Sequence, residues 1–260
     1  MVPAMTKKPA TARSIAETFR ARIDSGGLQP GDKLPSTKQI SAEFGVSELL
    51  VYRAVTQLKE SGHVVARQGA GAFVRVYNPL LWNPGEYERG ERSDDPVTNT
   101  DDWKAQVRAQ GREPEQGVPQ VSTEPAPKDI ANWLGLEPGT PVVARRRLRL
   151  VDGEPCQLAD SWFPVEIAEG TPLMEERDVT MKGGILAATG NPQHRIRDEL
   201  DIRMPTSAEI ERLNLQNLPG TPVCQHVRIG FGADGLPVRV MVTIAPGDRN
   251  RIIYELEINR

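Results

Sequence analysis

Residues 45–55, Gly45-Val46-Ser47-Glu48-Leu49-Leu50-Val51-Tyr52-Arg53-Ala54-Val55, decide the fold of the first quarter of the chain. Gly45 is the kind of residue that ends a helix, and Ser47 is the kind that opens one. After it, Val51, Ala54, Val55 and Leu58 recur at the helical period until Ser61-Gly62 closes the run. Upstream, Ser36 with Gln39 three residues later reads as a capping box opening a helix that ends at Gly45. Two helices joined by three to four residues including a glycine form the helix-turn-helix pattern, whose second helix lies in a major groove. Glu48 is then an acid aimed at a polyanion. Two accounts stay open. The macrodipole stabilises an acid in a first turn by roughly 0.3–1 kcal/mol, and a carboxylate can accept from the N4 amino group of cytosine.

The pattern extends in both directions. Ile15, Phe19 and Ile23 predict an earlier helix stopped by Ser25-Gly26-Gly27, and Pro30-Gly31-Asp32 predicts a turn. His63-Val64-Val65-Ala66-Arg67-Gln68-Gly69-Ala70-Gly71-Ala72-Phe73-Val74 reads as two short strands around a glycine-rich tip, a wing. Residues 1–76 hold eleven Lys/Arg against six Asp/Glu, a net +5 that leaves −8 on the remainder. A basic head on an acidic body is what one phosphate-binding domain and one indifferent domain produce.

The whole chain, 260 residues with 38% hydrophobic and 26% charged, is long enough for two globular domains. No window approaches the roughly 18 apolar residues of a membrane span, and the basic start has no apolar stretch behind it, so a cytoplasmic protein is expected. Cys156 and Cys224 read as small hydrophobes on strands, and with three scattered histidines they match no metal spacing. Neither a metal nor another cofactor is expected.

Residues 77–98 are rich in proline, glycine and charge and read as a linker. Beyond them one helix is expected at about 99–110, then mostly strands, with short helices near 127–134, 183–189 and 206–213. This half carries an internal echo. Pro-Gly-Thr-Pro-Val stands at 138–142 and 219–223, each after a Leu-x-Leu and before a strand and an Asp-Gly turn, at 152–153 and 234–235. The offset is 81 at the first match and 82 at the second, so one residue has been inserted. Two such hairpin units predict an antiparallel sheet with helices on one face.

The head, from Ile15 through Leu28-Gln29-Pro30-Gly31-Asp32-Lys33-Leu34-Pro35-Ser36 and Phe44-Gly45-Val46-Ser47 to the Gly69-Ala70-Gly71-Ala72-Phe73-Val74 wing, resembles the DNA-binding domain of GntR-type bacterial transcription regulators. The second half, from Leu134-Gly135-Leu136-Glu137-Pro138-Gly139-Thr140-Pro141-Val142 to Pro246-Gly247-Asp248-Arg249-Asn250-Arg251, resembles the UTRA effector domain of the HutC subfamily, similar in fold to chorismate lyase. The resemblance implies an α+β protein: residues 1–11 a basic arm, 12–76 a winged helix-turn-helix, 77–98 a linker and 99–258 a UTRA domain that binds effector and dimerises. It implies DNA contacts at Lys38, Ser47, Glu48, Leu49, Leu50, Tyr52, Gln68 and Gly69. Ser36 and Gly71 belong to the same face, and Arg53, Arg67 and the Lys7-Lys8 arm serve phosphates. Glu48, Leu50 and Tyr52 stand where the family usually has arginine, threonine and arginine. Two lost arginines change the expected operator, because arginine reads guanine with a bond pair worth roughly 1–3 kcal/mol.

In Val143-Ala144-Arg145-Arg146-Arg147-Leu148-Arg149-Leu150-Val151, alternation sends Arg145, Arg147 and Arg149 to one face and Arg146 to the other. Such a row either binds a carboxylate or phosphate or is a solvated face paired with Asp160 or neighbouring acids. By the resemblance, sugar-phosphate-sensing relatives use this Arg-x-Arg for a phosphate, but Ala159 stands where they carry an acid. Arg228 is the repeat partner of Arg147, so Arg147, Arg149, Arg228 and Asp160 form the expected effector set. His226 reads as a sheet histidine or a ligand contact, and Arg195, Arg197 and Arg239 as surface pairs. No Ser, Cys or His constellation suggests an enzyme. The expectation is a dimeric repressor of an inverted-repeat operator, released by a small anionic effector. The rival is an effector-independent DNA-binding protein whose second half only dimerises.

Overall fold

Backbone donors at helix starts are capped by neighbouring hydroxyls, and three such caps organise the head. The computed structural model describes residues 10–67, 69–88, 102–178, 186, 189–216, 218 and 220–255. Helix α1 (Ala12–Asp24) opens on a Thr11–Ser14 capping box, and α2 (Thr37–Phe44) on the Ser36–Gln39 box. Gly45 closes α2 in the left-handed region at φ +66°, a conformation glycine adopts without a Cβ penalty. Helix α3 (Glu48–Glu60) follows, its first turn capped by Ser47, which accepts from the Leu50 amide.

Ile15 and Phe19 of α1, Ile40 of α2 and Val51, Ala54 and Leu58 of α3 bury their side chains together. Strands β1 (Val64–Arg67) and β2 (Gly71–Val74) pair antiparallel, from Val64 opposite Val74 to Arg67 opposite Gly71. Val64 and Val74 join the same core, so the wing's base is fixed to the helices. Its tip turns through Gly69 (φ +70°) and Gly71 (φ +109°).

The chain divides into two compact units, residues 1–78 with 215–221 and the remainder. The second unit is built on an eight-stranded antiparallel sheet. Its strands are β4 (Pro114–Gln116), β5 (Gln120–Pro125), β6 (Pro141–Arg146), β7 (Leu148–Val151), β8 (Glu154–Pro164), β9 (Arg195–Arg203), β10 (Val223–Phe231) and β11 (Pro237–Pro246). They run β4-β7-β8-β11-β10-β9, with β6 also on β8 and β5 on β6. The two echoed units are the hairpins ending in β8 and β11, and these strands pair at the centre with Asp160 opposite Val242. Those residues are themselves 82 apart, so a local two-fold passes through that pair. The inserted residue falls where the second copy has a bulge at Gly230/Phe231 and the first breaks between β6 and β7.

Helix α5 (Lys128–Leu134) covers one sheet face, packing Ile130, Ala131 and Leu134 on Val142, Ala144, Trp162, Val227 and Val240. The opposite face is covered too, which the hairpin pattern did not predict. There β3 (Leu80–Trp82) and α4 (Asp102–Ala109) bury Leu80, Trp82, Trp103 and Val107 against Val151, Cys156 and Ala245. Strand β3 pairs in parallel with β12 (Asn250–Ile252). The expected linker 77–98 is therefore corrected over residues 80–88, which form β3 and a 3-10 turn. Two buried side chains at strand spacing, Leu80 and Trp82, outweigh a composition dominated by proline, glycine and charge. Residues 89–101 lie outside the described residues, as does the helix expected at 183–189 apart from Leu186 and Thr189. Helices α6 (Val165–Ala168) and α7 (Ser207–Arg212) complete the unit, the latter where a helix was expected near 206–213.

Candidate functional sites

Because Val51, Ala54 and Leu58 turn inward, the opposite side of α3 presents Glu48, Leu49, Tyr52 and Arg53 to solvent. Leu49 is 63% and Tyr52 64% exposed, large apolar surfaces that no neighbour covers. Lys38 is exposed on α2, and Arg67, Gly69 and Gly71 are exposed on the wing. Arg67 lies over the Phe73 ring at 4.5 Å, which holds its guanidinium at the base of the wing tip. Ser36 and Ser47 spend their hydroxyls on capping. Leu50, expected on the DNA face, instead packs against the head core, since it follows Leu49 by a 100° step around the helix. Gln68 and the Lys7-Lys8 arm lie outside the described residues.

In the second unit the arginine row divides by partner. Arg145 is buried and donates to the Leu173, Glu175 and Arg177 carbonyls, the latter two at 2.7 and 3.0 Å. Burial, with Arg147 close by, pushes its pKa down to about 10. It is a structural clamp. Arg147 Nη1 donates to Asp178 Oδ1 at 2.8 Å. The same carboxylate accepts from Lys104 Nζ at 2.9 Å and Gln116 Nε2 at 3.2 Å. Arg149 Nε donates to Gln116 Oε1 at 3.0 Å, with its guanidinium 5.0 Å from the Trp103 ring centroid. Burial would raise the Asp178 carboxyl, but Lys104 and Arg147 hold it below its ordinary range. Arg147 thus reaches Asp178 directly and Arg149 reaches it only through Gln116, while Arg146 pairs with Glu124 on the other face.

Two members of the expected effector set are elsewhere. Asp160 alternates away from Ala159 and Ser161; it accepts from the Arg147 amide at 3.2 Å and faces Arg212 at 3.8 Å. Burial raises its carboxyl above the usual range, against the pull of Arg212. Arg228 is fully enclosed. It holds Asp198 through Nε and Nη2 at 2.8 and 2.7 Å, and Nη1 donates to the Pro84 carbonyl at 2.6 Å. Its guanidinium is therefore a structural anchor, a correction that follows from the order β10-β9 placing Arg228 opposite Asp198. Nor is Arg239 a surface pair: it donates to Ser161 Oγ at 3.0 Å and lies over Phe163.

His226, also buried, contacts Asp198 at 3.1 Å and the Tyr254 hydroxyl at 3.2 Å through Nε2 and packs edge-on against Trp82. Among the described residues, its Nδ1 and the Thr243 hydroxyl are buried without a hydrogen-bond partner. These two residues are directly opposite one another, and Thr243 is opposite Ala159, whose amide donates to the Arg147 carbonyl at 2.9 Å. Arg147, Ala159, Thr243 and His226 therefore form one row across four sheet segments. Lys104, Gln116, Asp178, Asp198 and Tyr254 carried no sequence signal, because each meets its partner from a distant segment with no motif of its own. Among the described residues no group of three His, Cys, Asp or Glu could hold a metal, and no helix is long and apolar enough to cross a membrane. Burial pushes the Cys156 thiol up to about 11, away from reactivity.

A winged helix-turn-helix with a solvent-facing second helix in a basic head, joined to an antiparallel-sheet domain with a polar row, defines a DNA-binding regulator with a ligand-binding domain. The chain belongs to the GntR family of bacterial regulatory proteins, in its branch with a UTRA domain: the gntR family model matches residues 11–74 and the UTRA domain model residues 109–251. An HTH-type transcriptional regulator of Streptomyces coelicolor is 28% identical over 98% of this chain and 95% of its own length. The Escherichia coli K12 regulator GgaR is 28% identical over 74% of this chain and 69% of its own. The crystal structure of a GntR-family transcriptional regulator superposes with a TM-score of 0.60 at 27% identity, covering 95% of this chain and 98% of that one. PhnF from Mycobacterium smegmatis, at 20% identity and TM-score 0.56 over 94% and 99% of the two chains, shares the fold. These families and relatives are transcriptional regulators, not enzymes.

Proposed function

We propose that the protein is a cytoplasmic, dimeric repressor that leaves an inverted-repeat operator when a small anionic effector binds its UTRA domain. The observation that carries this reading is the convergence of Arg147, Lys104 and Gln116 on one carboxylate, with Arg149 behind Gln116, beside the row of Ala159, Thr243 and His226. Cationic and amide donors gathered around an acid are the equipment for a carboxylate or phosphate. Thr243 Oγ1 and His226 Nδ1 are buried polar atoms that a ligand hydroxyl or a water would satisfy.

DNA contact is assigned to Ser36, Lys38, Ser47, Glu48, Leu49, Tyr52, Arg53, Arg67, Gln68, Gly69 and Gly71, with Leu50 supporting the helix from within. Dimerisation is assigned to β9, the sheet's edge strand, where Leu200 and Ile202, with Met204 just beyond, are exposed. An antiparallel pairing of two β9 strands about Glu199 sets Arg197 opposite Asp201 twice. A two-fold dimer of this class presents its two α3 helices to major grooves roughly 34–36 Å apart. Titration of an anionic metabolite panel into the protein–operator complex tests the release; operator affinity unchanged by every member would sink it.

One observation favours the rival reading. Asp178 already occupies Arg147 and Lys104, as it would if the domain served dimerisation alone. Thermal shift separates the two, because a ligand at 100 times its dissociation constant adds about 2.7 kcal/mol of stability.

A further inference from the structure

Beyond Glu48, the exposed start of α3 carries little of the polar equipment usually used to read bases. Its outward residues near the start are an acid, an aliphatic and a phenol, Glu48, Leu49 and Tyr52, with the cation Arg53 at the margin. Leu49 has no hydrogen-bonding group, and the Tyr52 ring meets its surroundings mainly with carbon. Leaving both more than 60% exposed keeps apolar surface in water within a head that is otherwise basic and well packed. The adjoining cations Lys38, Arg53 and Arg67 mark the surface as one that meets phosphates. Among the base edges of the major groove, only thymine presents an apolar group, its C5-methyl.

The geometry points to Leu49 and Tyr52 as readers of thymine methyl groups, so that thymines set the operator half-site where arginine would have set guanines. The inference rests on the DNA-reading role of α3 and adds the base class that it selects. Residues three apart on a helix are neighbours, about 5–6 Å between Cβ atoms. That span exceeds one base-pair step of about 3.4 Å and falls short of two, so the two methyls belong to adjacent or next-adjacent base pairs. Leu50 does not share the task, since it is half-buried and packs against the core. Glu48, one helical turn before Tyr52, remains for a neighbouring cytosine amino group.

The test begins with selection of bound duplexes from a random pool by the full chain. Each thymine in the selected site is then replaced singly by deoxyuridine, which removes the methyl and keeps every hydrogen-bonding group. At fixed salt, we expect two positions in each half-site at which uracil weakens binding about fourfold, the equivalent of about 0.8 kcal/mol for a buried methyl. At one of these the penalty disappears in Leu49→Ala, and at the other in Tyr52→Ala. Both substitutions are at exposed positions, and unchanged thermal melting confirms the fold. Uracil tolerated at every position, penalties that persist in both variants, or a selected site without thymine facing α3 would each overturn the assignment. A pool that enriches nothing would remove the DNA-reading role of α3, and this assignment with it.

Discussion

Arg228 grips Asp198 through both carboxylate oxygens, at 2.8 and 2.7 Å, and caps the arrangement by donating to the Pro84 carbonyl. The guanidinium is almost wholly shielded from water, and the carboxylate is 14% exposed. Removing one partner of such a pair strands the other charge. Asp198→Ala is expected to destabilise the second unit by about 3–5 kcal/mol, read as a lower urea midpoint. Arg228→Met combined with Asp198→Ala should recover part of that loss, because no buried charge is left unpaired.

The same pair sets an acid limit. Burial raises the Asp198 carboxyl, but hydrogen bonds from Arg228 and His226 outweigh it and hold the group well below the ordinary carboxylate range. A depressed folded pKa gives stability that is fully present above the unfolded value, about 3.9, and is lost as pH falls through the folded one. Stability should therefore decline from about pH 4 downward, and the Asp198→Asn variant should show a shallower decline in the same urea titrations.

In the head, Leu58 is fully buried between the three helices. Leu58→Ala should cost about 2–5 kcal/mol by lost transfer energy and the cavity left behind. Operator binding should weaken at temperatures where the variant's head melts and recover on cooling, measured by calorimetry and anisotropy on the same sample.

Phosphate anchoring predicts a salt slope. If Lys38, Arg53 and Arg67 each neutralise one phosphate in both halves of a dimer, the slope of log K against log salt is about −5. Arg67→Gln should reduce its magnitude by about 2, without changing the selected sequence. An unchanged slope would remove the wing from the interface.

Glu48 permits a sharper exchange. If it accepts from cytosine, Glu48→Arg should move one position of the selected site to guanine, a discrimination of roughly 1–3 kcal/mol. If it serves only the helix dipole, the selected motif stays the same and stability falls by roughly 0.3–1 kcal/mol.

The head was legible because its signals are local. Ser36 with Gln39, Ser47 after Gly45 and the Val51-Ala54-Leu58 spacing each lie within one or two helical turns. The second domain's hairpins were legible through their echo, whereas Leu80 and Trp82 were hidden in a run whose average composition reads as linker. Alternation correctly brought Arg147 and Arg149 to one face, but it is silent on partners. Asp178 meets Arg147 across 31 residues and Lys104 across 74, distances at which no periodicity operates. Arg228 shows the converse: its equivalence to Arg147 suggested a shared role, and the neighbouring strand supplied Asp198 instead.

The local two-fold through Asp160 and Val242 thus relates two halves that have divided their labour. Equivalent arginines face different fates: one is sealed into the foundation of the domain, and the other is held by an acid still 37% open to water. A duplicated scaffold of this kind lets one residue position carry opposite demands: burial in one copy and partial access to water in the other.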